Sequence, residues 1–201
     1  MNVLRIIFCL SVVFFITPAV LATNFETSLA EAANQRTKAK VRYDGSYISI
    51  PYPNGDVPSH TGVCTDVVIR SYRQLGIDLQ QLLHEDISAN FEQYPSKRIW
   101  GLNKPDTNID HRRVPNLRTF FSRHGESLEV SDSWKDYKPG DLVTWKLGGV
   151  RPHIGIVSNK KNWKGHPLIV HNVGWGPKLE DVLFAYPITG HYRYNPNKDY
   201  K

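Results

Sequence analysis

Apolar residues recur at helical spacing only in the first two-thirds of this chain, and strand-like apolar runs occur only in the last third. That segregation restricts the fold more than any single motif does. Helices first and strands later argue against an alternating parallel sheet and for an α+β domain, with helices on an antiparallel sheet. The spacing predicts helices over Phe25–Lys38, Thr61–Leu75, Asp78–Ile87 and Val114–His124. The second is the strongest, because Cys64, Val67, Val68, Tyr72 and Leu75 form one stripe that Gly76 ends. Tyr43–Asp56 reads as a turn, a short extended piece and a loop, and Ser88–Asn116 as polar and irregular. Strands are expected at Leu142–Trp145, Ile154–Val157 and Leu168–His171.

Before these elements stands a leader. Met1–Arg5 is short and basic, Ile6–Ile16 is apolar, and Pro18–Ala22 ends in small residues. This is the order of a secretory signal peptide. The apolar run, about 11 residues, is too short for a bilayer, which needs roughly 20. Residues 1–22 are therefore expected to be removed, and 23–201 to form one domain in the periplasm or outside the cell, with no membrane segment left. Losing Arg5 takes the net charge from +6 to +5. The positives, among them Arg112-Arg113, Lys138, Lys146 and Lys160-Lys161, are scattered and not interleaved with aromatics, so no nucleic-acid partner is expected. Oligomeric state is not legible.

Cleavage also changes the cysteine arithmetic. Cys9 leaves with the leader and Cys64 remains unpaired, although exported proteins usually carry cysteines in pairs. A buried packing residue and a reactive thiol both explain one leftover cysteine. Its place separates them. Cys64 falls in the first turn of the strongest helix, with Thr61 or Gly62 as the expected cap, where free backbone N–H groups and the helix dipole stabilise a thiolate. Thiol pKa values at such sites drop from about 8.5 into the range of roughly 3.5–7.5.

A nucleophilic thiol needs a base and a group that orients it. Of the eight histidines, His60, His84, His111, His124, His166 and His191 lie in polar or Gly/Pro-rich stretches and read as surface residues. His153 begins one expected strand region and His171 ends another, so neighbouring strands can set the two rings together with one nitrogen left for the thiol.

The stretches Gly140-Asp141-Leu142-Val143-Thr144-Trp145, His153-Ile154-Gly155-Ile156-Val157 and Val170-His171-Asn172 resemble the NlpC-type cysteine peptidases. "YPNGDVP", "GVCTDVVIRSYRQLGIDLQ", "HEDI", "PDTNIDHRRVPNL" and "PHIGIVS" together resemble the bacterial domain-of-unknown-function family numbered 1287 over nearly all of the mature chain. The resemblance implies a papain-like fold, Cys64 as nucleophile, His153 as general base and then acid, His171 as orienting group, and peptidoglycan or another peptide as substrate, without a cofactor. It also implies an active-site tyrosine before the helix, for which Tyr52 is the candidate. Arg151, Trp175 and Asp66 complete the supporting set. In one respect the chain departs from the better-known relatives: Val63-Cys64-Thr65-Asp66 stands where they read Asp-Cys-Ser-Gly, which puts their recognition of a free amine in doubt. Asp66 either replaces the lost carboxylate or pairs with Arg70 four residues on.

Other readings stay open. Trp163, Trp175, Tyr52 and Tyr94 are expected in open loops and suit a non-enzymatic wall-binding or partner-binding module. Cys64, His153 and His171 are also competent zinc donors, although no His-Glu-x-x-His occurs. Asp106-Thr107-Asn108-Ile109-Asp110 begins like a calcium loop but has His111 and Leu117 where Gly and Glu belong. It is read instead as a loop tied by its own Asx turns, with Arg112 and Arg113 pairing the acids.

Overall fold

The computed structural model describes residues 24–198; the segment expected to be a leader, residues 1–22 with Cys9, lies outside the described residues. Helix α1 (Phe25–Arg36) is capped by the Asn24 side chain, which accepts from the Thr27 N–H. Two short strands, β1 (Arg42–Tyr43) and β2 (Thr61–Gly62), pair in parallel and lead into α2 (Cys64–Gln74). Then come α3 (Leu79–Ala89), the single turn α4 (Ser96–Trp100) and α5 (Val114–His124). Strands β3 (Glu126–Leu128), β4 (Leu142–Leu147), β5 (Arg151–Lys161), β6 (Pro167–His171), β7 (Lys178–Glu180) and β8 (Ile188–Arg193) complete the chain. They form one antiparallel sheet in the order β3-β8-β4-β5-β6-β7. The α+β architecture, helices on an antiparallel sheet, is the one expected.

Alternation along the strands sorts the sheet into two faces. Leu142, Ile154, Ile156 and Val170 join the helices in a core with Leu29, Val68, Leu83, Leu117 and an aromatic cluster around Tyr72, Phe121 and Tyr194. Val143, Trp145, Val157 and Ile169 face the other way and are covered by Tyr137 and Leu183.

Several expectations are corrected. Helix α2 begins at Cys64, because Thr61–Gly62 is drawn into strand pairing with β1, and Val63 is the N-cap. The expected apolar stripe is buried from Cys64 to Tyr72, and so is every other residue between them. Its polar side is satisfied inside the protein: Arg70 donates to Asp56 and to the carbonyls of Thr61, Val57 and Pro58. The segment read as irregular holds α4 and two 3-10 turns, Phe91–Gln93 and Asp110–Arg112. Tyr94 is buried, its hydroxyl on Asp86, and not in an open loop.

Two histidines read as surface residues are buried as well. His111 is 2% exposed, and burial with Arg112 nearby pushes its pKa down to about 4. His191 lies 2.7 Å from Asp141, which also takes two bonds from Arg193; a carboxylate with no exposure at all requires such partners. This cluster fixes the start of β4 against β8.

Candidate active site

The loop before α2 is fixed by one carboxylate. Asp66 accepts from the Val63 N–H at 2.6 Å, closing the helix start from its third position. The rest of that carboxylate belongs to Arg112, whose Nε and Nη2 approach at 2.9 and 3.0 Å with both side chains 3% exposed. Of the two readings of Asp66, the pair with Arg70 does not form, because Arg70 reaches Asp56 instead. Asp66 is thus structural in its contacts and closed to solvent. Within the loop that begins like a calcium site, Asx bonds (Asn108 N–H to Asp106, Asp106 N–H to Asp110) and the Arg113–Asp110 pair form as expected, while Arg112 serves Asp66.

Cys64 is a free thiol, 5% exposed, held against the Ile154 N–H and the amides of Thr65 and Cys64 itself. Those amides favour the thiolate, but loss of water outweighs them and burial pushes the thiol up to about 11. The expectation of a depressed thiol pKa is reversed: the helix start is there, and it is dry. The thiol meets β5 at Ile154, next in the chain to His153, and forms no hydrogen bond to either His153 or His171.

The rings come together through sheet register. Ile156 pairs with Val170 and Val157 with Ile169, which sets Gly155 opposite His171 and puts His153 on the same face, one diagonal step away. A Cβ at Gly155 would lie 2.8 Å from Ile169 Cγ2 and 3.1 Å from His171 Cβ, so glycine lets β6 close in. His153 Nε2 lies 2.9 Å from His171 Nδ1. The diagonal continues: Glu180 pairs with Ile169 on β7, and its carboxylate meets His171 Nε2 at 2.9 Å. Trp145, directly across from His153 on β4, walls the ring at 5.9 Å between centroids.

This line of three side chains determines the proton positions. A carboxylate only accepts, so His171 carries its proton on Nε2 and offers Nδ1 as acceptor. His153 must then donate from Nε2, which leaves His153 Nδ1 as the basic nitrogen. Burial, with His171 close by, pushes His153 down to about 3, and burial also lowers His171, with Glu180 opposing and Lys178 adding to the shift. Both rings are neutral at rest. Glu180 is absent from the sequence reading. Its signal was a hairpin, since His171 and Glu180 flank a turn with Gly174, Gly176 and Pro177 that returns the chain antiparallel.

Among the supporting candidates, Tyr52 lies edge-on to His84, with Glu85 and Asp78 as its charged neighbours. Tyr43, on β1, is the tyrosine within electrostatic reach of Cys64, and Arg151 reaches the same phenol. Trp175 is 83% exposed on the β6–β7 turn. Asn172, just past β6, donates to the Gly62 carbonyl at 3.3 Å and ties the histidine strand to the cysteine loop. Among the described residues, no group of three or more His, Cys, Asp or Glu side chains is placed to hold a metal.

The fold and site define an α+β protein with a buried thiol at a helix start and an imidazole–imidazole–carboxylate line on the adjoining sheet. The chain belongs to the family described as Domain of unknown function (DUF1287), whose model matches residues 30–194. It is 48% identical over 171 residues to the uncharacterized protein YijF of Escherichia coli strain K12, covering 85% of this chain and 82% of that one. Among solved structures, NlpC1 from Trichomonas vaginalis aligns with a TM-score of 0.48 at 15% identity, over 87% of this chain and 46% of NlpC1. The chain thus spans less than half the length of that protein.

Proposed function

We propose that this protein is an exported cysteine hydrolase that cuts a peptide or amide bond in cell-wall peptidoglycan, with Cys64, His153 and His171 as its catalytic set. The observation that carries the reading is the ordered line His153–His171–Glu180, with the thiol held against the Ile154 N–H one residue along the chain from His153. The leader in residues 1–22 supports an extracytoplasmic substrate.

In this reading the neutral thiol and neutral imidazole react together. As Cys64 Sγ attacks the substrate carbonyl, its proton passes to His153 Nδ1, and the imidazolium is stabilised through His171 by Glu180. In this reading the hydrogen bond from thiol to ring forms in the substrate complex. The Cys64 backbone N–H, at the helix start, faces the carbonyl oxygen as it gains charge. His153 then gives the proton to the leaving amine. A water, deprotonated by the same nitrogen, releases the acyl group and restores the thiol.

A binding module on the same fold would use exposed Trp163 and Trp175, but has no use for a helix-start thiol together with a tautomer-locked histidine pair. The test is incubation of the mature protein with peptidoglycan and defined muropeptides beside Cys64→Ala. New amines and cleaved peptides with the first protein alone support the reading. Binding without cleavage by either protein overturns it in favour of the module.

A further inference from the structure

Next to the thiol and histidine strands lies an open groove of about 690 Å³, with Lys40, Arg42, His60, Trp175 and Lys178 among its lining residues. Its charge is one-sided. Lys40, His60 and Lys178 form no ion pair with any described residue, and exposed Arg42 holds the half-buried Asp44 at 3.0 Å. No acid is among the lining residues, and two on the adjoining elements are otherwise occupied: Glu180 is on His171, and Asp66 is sealed under Arg112.

The groove is continuous with the site through the backbone. Lys178 sits opposite His171 in the β6–β7 register, and its charge acts on that ring. The Arg42 N–H donates to the His60 carbonyl at 2.8 Å, one residue before the strand that leads into Cys64. Val41 borders both this groove and the Gly62–Val63 turn. Gly176 has φ of 83° and would place a Cβ 2.9 Å from the Val41 carbonyl, so glycine lets the Trp175 turn close against this wall. Trp175, 83% exposed, stands over the groove as an apolar plate beside the cations.

We infer that this groove is the specificity subsite of the proposed hydrolase and that it takes a carboxylate-bearing peptide segment, not a free amine. Resting on the proposed hydrolase function, the inference assigns the substrate's charge. A carboxylate seats among Lys40, Lys178 and Arg42 while Trp175 covers the adjoining apolar group. An amine brought to the same place meets uncompensated like charge, with no free carboxylate to receive it.

Binding to the mature Cys64→Ala protein tests this without catalysis. The calorimetric probes are N-acetyl-Ala-Ala-Ala as the acid and as the amide, Ala-Ala-Ala-amide with a free amine, and N-acetyl-Ala-Glu-Ala-amide. At low salt either carboxylate probe should bind on the order of tenfold tighter than the neutral amide, and the gap should close as salt shortens the screening length. The two carboxylate probes tell a terminal from a side-chain group. Lys40→Glu with Lys178→Glu, both at exposed positions, should abolish or invert the preference. Equal binding of acid and amide, tighter binding of the amine, or no binding of either carboxylate probe up to about 10 mM would overturn the inference. Preference for the acid by a protein that cleaves nothing would uphold the subsite while the hydrolase reading fails.

Discussion

His171 Nε2 and Glu180 Oε2 stand 2.9 Å apart across the β6–β7 pair, and that contact sets the direction of every proton up to His153. Glu180 hydrogen-bonds His171 and not Cys64, so in the proposed reaction it acts through His171. If the proposed hydrolase reading holds, replacing it with Gln or Ala lowers kcat/KM roughly tenfold, less than the loss from His153→Ala, since general acid–base catalysis supplies about 10²–10⁴-fold. The pH profile separates positioning from packing. Glu180 raises the pKa of His171, so its removal favours the neutral rings and should move the acidic limb of kcat/KM to lower pH. A Glu180→Gln enzyme with unchanged rate and limb would reduce Glu180 to a surface contact. His171→Gln should keep measurable turnover, because its amide can still accept from His153, and His171→Ala should be worse.

Alkylation reports the resting thiol. With its pKa at about 11, Cys64 should react with iodoacetamide more slowly than a model thiol at pH 7.5, with the rate still climbing above pH 9. Tyr43, half exposed and within electrostatic reach of the thiol, is the side chain whose loss should admit water. Tyr43→Ala should therefore speed alkylation several-fold, and Tyr52→Ala, against His84, should not. A rate that plateaus below pH 7 in the unmodified protein would refute the closed, neutral site.

Acid should weaken the fold through His111. Its folded pKa is about 4 against 6.5 in the open chain, so between those values the unfolded state binds more protons and stability falls as pH falls. From pH 7 to pH 5 this single group costs about 2 kcal/mol. Thermal melts of the wild type and His111→Gln should diverge at neutral pH and converge toward pH 5, since the variant lacks the titration. Parallel melting curves across that range would show that His111 does not carry the effect.

What was legible in the sequence was whatever depended on local pattern. Val114–His124 was read with the bounds it has, because Pro115 suits the first turn and Gly125 stops the last. The cores of β4, β5 and β6 were found from short apolar runs, since central strands bury both faces. β8 was not, although it lies between β3 and β4, because Gly190, His191 and Arg193 make it look polar; two of these serve the buried Asp141. Helical spacing offered Arg70 as one of two readings for Asp66, and it cannot see an arginine 46 positions away. Burial misled the thiol reading in the same way, since the position of a helix start is local and its dryness is set by segments brought over it from elsewhere.

The Asp66–Arg112 pair is where fold and site meet, and it should be among the costliest contacts to break. The carboxylate is buried, takes two bonds from the guanidinium and holds the Val63 N–H that starts the cysteine helix. Arg112 also reaches the carbonyls of Asp44 and Ser46 at 3.4 and 3.5 Å, holding the segment next to Tyr43. Arg112→Met leaves a buried charge unpaired and should destabilise the protein by about 3–5 kcal/mol. Asp66→Asn strands the guanidinium instead, and should cost a similar amount. Combining the two removes both charges while the Asn oxygen can still accept from Val63, so the double variant should recover much of the loss, giving a non-additive cycle in urea denaturation. If each single change cost under about 1 kcal/mol and the two simply added, the pair would be an ordinary contact. Folded single variants should also alkylate faster at Cys64 than the parent, because the helix start and its cover depend on the same carboxylate.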